Sequence, residues 1–123
     1  MGDLSEHFNR REFACKCQCG FDSISPDLIK RLEQARAHFN APIIVNCGCR
    51  CEKHNKAVGG AKASQHLQGT AADIVIKGFA PSAVADYFEK TWPNVGGVGR
   101  YATFTHVDVR PGPARWRAPN VSK

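Results

Sequence analysis

The chain has no apolar run near the roughly 20 residues that a membrane-spanning helix requires. Membrane insertion is therefore not expected. Residues Met1 to His7 carry neither a basic segment nor an apolar one, so they lack the make-up of a secretory signal. Met1-Gly2 alone does not make a lipidation motif. The expectation is a protein made in the cytoplasm, for which any export uses another route. No block of five or more like charges occurs, although Lys and Arg number 17 against 11 Asp and Glu. The net charge of +6 favours polyanions in general. Scattered as the charges are, they predict a basic, soluble surface and no dedicated nucleic-acid face. The C-x-x-C spacing of zinc ribbons is absent too. There is no linker.

What is present suits one domain, residues 1–123. That length buries a single core without obligatory staples. A hydrophobic content of 42% and a charged content of 23% are those of an ordinary globular protein. The six cysteines form two like triplets, Cys15-x-Cys17-x-Cys19 and Cys47-x-Cys49-x-Cys51. Three readings stay open: reduced thiols, disulfides between the triplets, or a second, structural metal.

The local pattern predicts an α+β fold. Leu4 to Ala14 carries Phe8 and Phe13 with polar residues between, and Ser5 can cap a short helix there. Ser25-Pro26 is a helix start, with Leu28, Ile29, Leu32, Ala35 and Phe39 on one face and an end near Asn40, before Pro42. Ile43-Ile44-Val45 is a buried strand. Residues 51–57 can form a helical turn. Ala72 to Ile76 is a second strand, and Pro81 to Trp92 a second helix with Val84, Ala85 and Phe88 inward. A third strand ends at Tyr101, and Phe104 to Val109 is the fourth. Pro111, Pro113 and Pro119 exclude regular helix or central strand from the tail, which packs through Trp116. The sheet is small and mostly antiparallel, with flanking helices.

The chemistry gathers in Ser64-Gln65-His66-Leu67-Gln68-Gly69-Thr70-Ala71-Ala72-Asp73. His66 and Asp73 offer a nitrogen and an oxygen to a metal, with small residues at Gly69 and Ala71 that let backbone approach an ion. Two ligands do not make a site. His106, on the fourth strand, is the best third. Two histidines, one carboxylate and an open fourth position are what a catalytic zinc ion requires. Asp108 lies two residues after His106, so a regular strand puts both side chains on one face. It can be the general base, a partner that orients a ligand, or a plain ion pair with Arg110 or Arg100. Ser64 can brace its loop or touch substrate.

S-x-H-x-x-G-x-A-x-D followed by a strand bearing H-V-D resembles the zinc peptidases that include D-Ala-D-Ala carboxypeptidases, VanX-type dipeptidases and phage L-Ala-D-Glu endopeptidases. The Hedgehog signalling domain has a similar fold. Ser64, His66, Gly69, Ala71 and Asp73 match the first motif, and His106 the second ligand histidine. Asn46 to Cys51 resembles the family's strand ending in S-G-Y-R, which carries an active-site arginine, here Arg50. His54-Asn55, Val58 to Ala61, Gly97 to Tyr101 and Gly112 to Trp116 are similar to the phage-like branch. The likeness covers roughly residues 5 to 117.

The resemblance implies zinc held by His66, Asp73 and His106, with Arg50 on the oxyanion or on a substrate carboxylate, and Ser64 and Tyr101 at the substrate. Some relatives carry cysteines in both triplet regions, which implies that the triplets lie close together. Many relatives place Glu or Asp three residues before the second ligand histidine, or a histidine two before it. Here those positions are Thr103 and Phe104, and neither is a base. Asp108 is the first candidate for that role, with Tyr101 and His54 behind it. The expected function is a zinc-dependent peptidase cleaving peptidoglycan stem peptides, as endopeptidase or D-Ala-D-Ala carboxypeptidase. It would be a monomeric phage or prophage lysis enzyme acting at the cell wall or periplasm after release. The alternative, favoured by Thr103, is a non-catalytic zinc-binding module, or a phage structural or assembly protein with the same fold.

Overall fold

A computed structural model describes residues 7–8, 12–13, 24–48 and 69–118. The chain runs α1 (Pro26–Phe39), β1 (Ile43–Cys47), β2 (Ala71–Ile76), α2 (Pro81–Thr91), β3 (Gly97–Arg100), β4 (Thr105–Asp108) and β5 (Ala114–Arg117). The strands form one sheet in the order β1-β2-β4-β3-β5. Pairs β1–β2, β2–β4 and β3–β4 are antiparallel, and β3–β5 is parallel. This is the α+β, mostly antiparallel architecture that the residue pattern predicts.

α1 begins at Pro26, whose missing N–H costs nothing in a first turn. The Ser25 side chain makes no capping bond, contrary to expectation. Its backbone is used instead: Ser25 N–H donates to Gly69 O at 2.8 Å, tying the helix start to the entry of β2. The helix ends at Asn40, in the left-handed region at φ 50°, which asparagine tolerates better than most residues.

Leu28, Ile29, Leu32 and Ala35 of α1 and Val84, Ala85 and Phe88 of α2 are buried. They join Ile43, Ala72, Ile74, Ile76, Val98 and Val107 in one core. Strand alternation explains that set, since residues i and i+2 share a face. Ala72, Ile74 and Ile76 point one way and Asp73 and Val75 the other. Polar ties hold α2 to the sheet as well. Thr105 Oγ1 donates to Pro81 O at 2.9 Å, and Arg100 Nη2 meets Asp86 Oδ1 at 2.6 Å.

The tail is neither helix nor central strand and packs through Trp116, as expected, but it adds an edge strand that the residue pattern does not announce. Ala114–Arg117 is a true strand, β5, bonded through Ala114 N–H to Gly96 O and Ala118 N–H to Arg100 O. The prolines do not prevent this. Pro111 and Pro113 stand before it, and an edge position leaves one side without ladder partners. Of the stretch expected to hold a short N-terminal helix, only His7, Phe8, Glu12 and Phe13 are described, and Phe8 and Phe13 lie in the core; the turn over 51–57 and five of the six cysteines lie outside the described residues. Cys47 is half-buried at the end of β1, opposite Asp73 in the sheet.

Candidate active site

β2 and β4 pair so that Asp73 stands opposite His106. Val107 is in the core with Ala72 and Ile74, so Asp73 and His106 share the face of the sheet away from the helices. His106 Nδ1 lies 3.0 Å from Asp73 Oδ1. A tetrahedral zinc ion with bonds of about 2.0–2.1 Å sets its donors about 3.3 Å apart. The two groups thus fit as neighbouring ligands after a shift of a few tenths of an ångström. The same contact is a hydrogen bond when Nδ1 carries hydrogen and a pair of metal donors when it does not.

The other ring nitrogen is already committed. His106 Nε2 lies 2.8 Å from Asp108 Oδ2, whose side chain is wholly buried. Gly97 N–H donates to Asp108 Oδ1 at 2.7 Å and Arg110 N–H at 3.1 Å. The Arg110 guanidinium adds Nε to Oδ1 at 2.9 Å and Nη2 to Oδ2 at 2.7 Å. An ionised carboxylate accepts and never donates, with about four lone-pair sites. Five donors therefore saturate Asp108, and Nε2 is the protonated nitrogen of His106. Nδ1 faces Asp73, donating to its carboxylate where the ring carries both hydrogens and offering a lone pair to a metal where the ring is neutral. Burial alone would raise the Asp108 pKa, but hydrogen bonds from His106 and Arg110 outweigh it and hold the carboxyl well below the usual range.

Glycines make this arrangement possible. A methyl group on Gly97 would strike Asp108 Oδ2 and come within 2.8 Å of its Cγ. A methyl on Gly99 would come within 2.5 Å of Trp116 Cε2. Gly99 pairs with His106 on one side and with Trp116 on the other. The indole therefore lies on the sheet beside the histidine, with ring centroids 4.9 Å apart. Arg110 caps it, its guanidinium carbon 5.3 Å from the indole centroid. Trp116 Nε1–H donates to Tyr101 Oη at 3.0 Å, and Tyr101 stacks on Phe104 at 4.4 Å.

The structure thus brings Asp73, His106 and Asp108 together, with Tyr101 linked to them through Trp116. His66, Ser64 and Arg50, as well as His54, lie outside the described residues. Among the described residues, no group of three His, Cys, Asp or Glu side chains is placed to hold a metal ion. Of the two arginines considered as partners for Asp108, Arg110 is the one; Arg100 serves Asp86 and Glu89 on the helix side. Sequence reasoning missed Trp116 and Gly97 as parts of this site. The available signal was Gly97-x-Gly99, two residues without side chains on one face of a strand, which calls for something large above them.

A model of the peptidase M15 family matches residues 6–108. The chain belongs to the peptidase M15 family. The match holds Asp73, His106 and Asp108, while Arg110 and Trp116 lie beyond it. No curated protein matches the chain. Membership makes this M15 protein a hydrolase of metallopeptidase type, with peptide as substrate class. The family implies zinc-dependent action on peptidoglycan-type substrates. Among the described residues of the M15 fold, no helix is long and apolar enough to cross a membrane.

Proposed function

We propose that this M15 protein is a zinc-dependent peptidase that cleaves peptidoglycan stem peptides, at L-Ala-D-Glu or at D-Ala-D-Ala, as a phage or prophage lysis enzyme working at the cell wall. The observation that carries the reading is the His106 ring. One nitrogen is tied to a saturated, buried carboxylate and the other is aimed at Asp73. A histidine so divided is built as a metal ligand whose tautomer is set by a carboxylate behind it.

His66, Asp73 and His106 would hold the zinc, and the ion supplies an activated water and a polarised carbonyl. Arg50 suits the oxyanion or a substrate carboxylate, because its planar fork binds either. Ser64 and Tyr101 would face the peptide. Asp108 is assigned an orienting role through His106 rather than proton abstraction, since its lone pairs are all used. Of the two other candidates, Tyr101 is a phenol with a hydrogen to donate, so His54 is the proton acceptor to test. The same saturation, together with Thr103 in place of an acidic residue, favours a second reading: a non-catalytic zinc-binding or phage assembly module.

Digestion of purified peptidoglycan with and without a chelator separates the two. A peptidase releases new amino or carboxyl ends that mass spectrometry assigns to one bond, and the chelator stops it. No release by zinc-loaded protein would leave the non-catalytic module.

A further inference from the structure

We propose that Tyr101 is the hydrogen-bond donor this site aims at the oxygen of the scissile peptide carbonyl, and that Trp116 is the positioning residue that commits it to that role. The proposal rests on the peptidase reading and adds to it an electrophilic partner and the device that sets it.

A phenol has one hydrogen to give and lone pairs to receive. Indole Nε1 only donates. The 3.0 Å bond from Trp116 Nε1–H to Tyr101 Oη therefore uses a lone pair and leaves the phenolic hydrogen unspent. The Tyr101 hydroxyl makes no further hydrogen bond among the described residues, and the side chain is half-exposed. It is a donor facing outwards.

Its position follows from the strands. Gly97, Gly99 and Tyr101 alternate along one run, so Tyr101 shares the face of Gly99, which pairs with His106. The indole that touches the His106 ring also holds the Tyr101 oxygen. The hydroxyl is thus one indole away from the ligand histidine. His106 bonds Asp108, Asp108 bonds Arg110, Arg110 covers Trp116 and Trp116 packs on His106, a closed ring from which the Trp116 indole holds Tyr101. Phe104 stacks on the phenol at an interplanar angle of 10° and fixes its plane. A donor preset in this way needs no reorganisation when charge develops on the carbonyl oxygen, which is what makes such donors effective.

The test uses zinc-loaded wild type, Tyr101→Phe and Trp116→Phe. Tyr101→Phe keeps the ring on Phe104 and removes only the hydroxyl. Three quantities are read: zinc content, kcat and KM on a stem peptide, and the calorimetric Kd for phosphinate isosteres of D-Ala-D-Ala and of L-Ala-D-Glu, whose tetrahedral centres mimic the attacked carbonyl. Tyr101→Phe should keep its zinc, lose about 10²–10³-fold in kcat with KM little changed, and bind the phosphinate weaker by a similar factor. Trp116→Phe, if folded, should lose part of the same kcat. A merely structural pair would lower the melting temperature in both variants and leave kcat and Kd alone, which overturns the proposal. A rise in KM with kcat kept overturns it too. Should wild type cleave nothing, the peptidase reading falls, and the phosphinate still decides here. Weaker binding by Tyr101→Phe supports the donor; equal binding, or none by wild type, refutes it.

Discussion

Asp108 carries more of the site than its place in the sequence suggests. Its carboxylate meets a backbone N–H from β3, two groups of Arg110 side chain, the Arg110 backbone and the His106 ring. Removing its charge should loosen the ligand behind which it stands. Asp108→Asn is expected to lower zinc affinity about 10–100-fold, measured against a competing chelator; unchanged affinity would mean that His106 is oriented by something else. The sign of the pH effect follows from the depressed pKa. In metal-free protein Asp108 adds stability that is complete above its unfolded pKa of about 3.9 and is lost as pH falls towards the lower folded value. Urea midpoints of wild type and Asp108→Asn should therefore converge below about pH 4. A gap that stays constant into acid would show that folding does not lower the Asp108 pKa. At this scale the sequence was informative about identity and silent about state. Periodicity of two puts Asp108 beside His106, but it does not reveal five donors on one carboxylate, because Gly97 comes from another strand.

Among the elements, those with a strong local pattern were the legible ones. Ser25-Pro26 and the apolar face through Phe39 mark α1, and Ala72 to Ile76 marks β2, because packing periodicity and proline geometry are local properties. β5 was not legible. A four-residue edge strand set among prolines has almost no local signal, and its parallel partner β3 is not a neighbour in the chain. The two glycines of β3 are the trace of that pairing. Gly97→Ala forces a methyl group against the Asp108 carboxylate, and Gly99→Ala forces one into the Trp116 indole. Each should cost about 1–3 kcal/mol, the usual penalty of overpacking. Gly112→Ala is the control: nothing lies within 4 Å of its added carbon, and an effect within about 0.5 kcal/mol is expected. Denaturant unfolding measures all three. Equal stability of Gly99→Ala and Gly112→Ala would mean that the indole does not rest on β3.

For the whole molecule, the sheet divides labour between its faces. Among the described residues, one face carries the core and the two helices; the other carries Asp73, His106 and the aromatic wall. Family membership and fold were both legible, since the motif around His66 and Asp73 and the H-V-D strand are contiguous in sequence. The third ligand was legible as a histidine on an alternating strand, but its meeting with Asp73 was not, because that comes from strand pairing across 33 residues. A metal that joins β2 to β4 must also stabilise the fold by mass action. Free zinc at 1,000 times its Kd should add about 4 kcal/mol, and a chelator should remove it, seen as a fall in Tm.

The proposed activity depends first on zinc held jointly by His66, Asp73 and His106. Elemental analysis of purified protein tests it most directly. A single zinc ion per chain is expected in wild type and none in the triple variant His66→Ala, Asp73→Ala, His106→Ala, with near-stoichiometric metal kept by a Cys47→Ser control. Full zinc occupancy in the triple variant would contradict it.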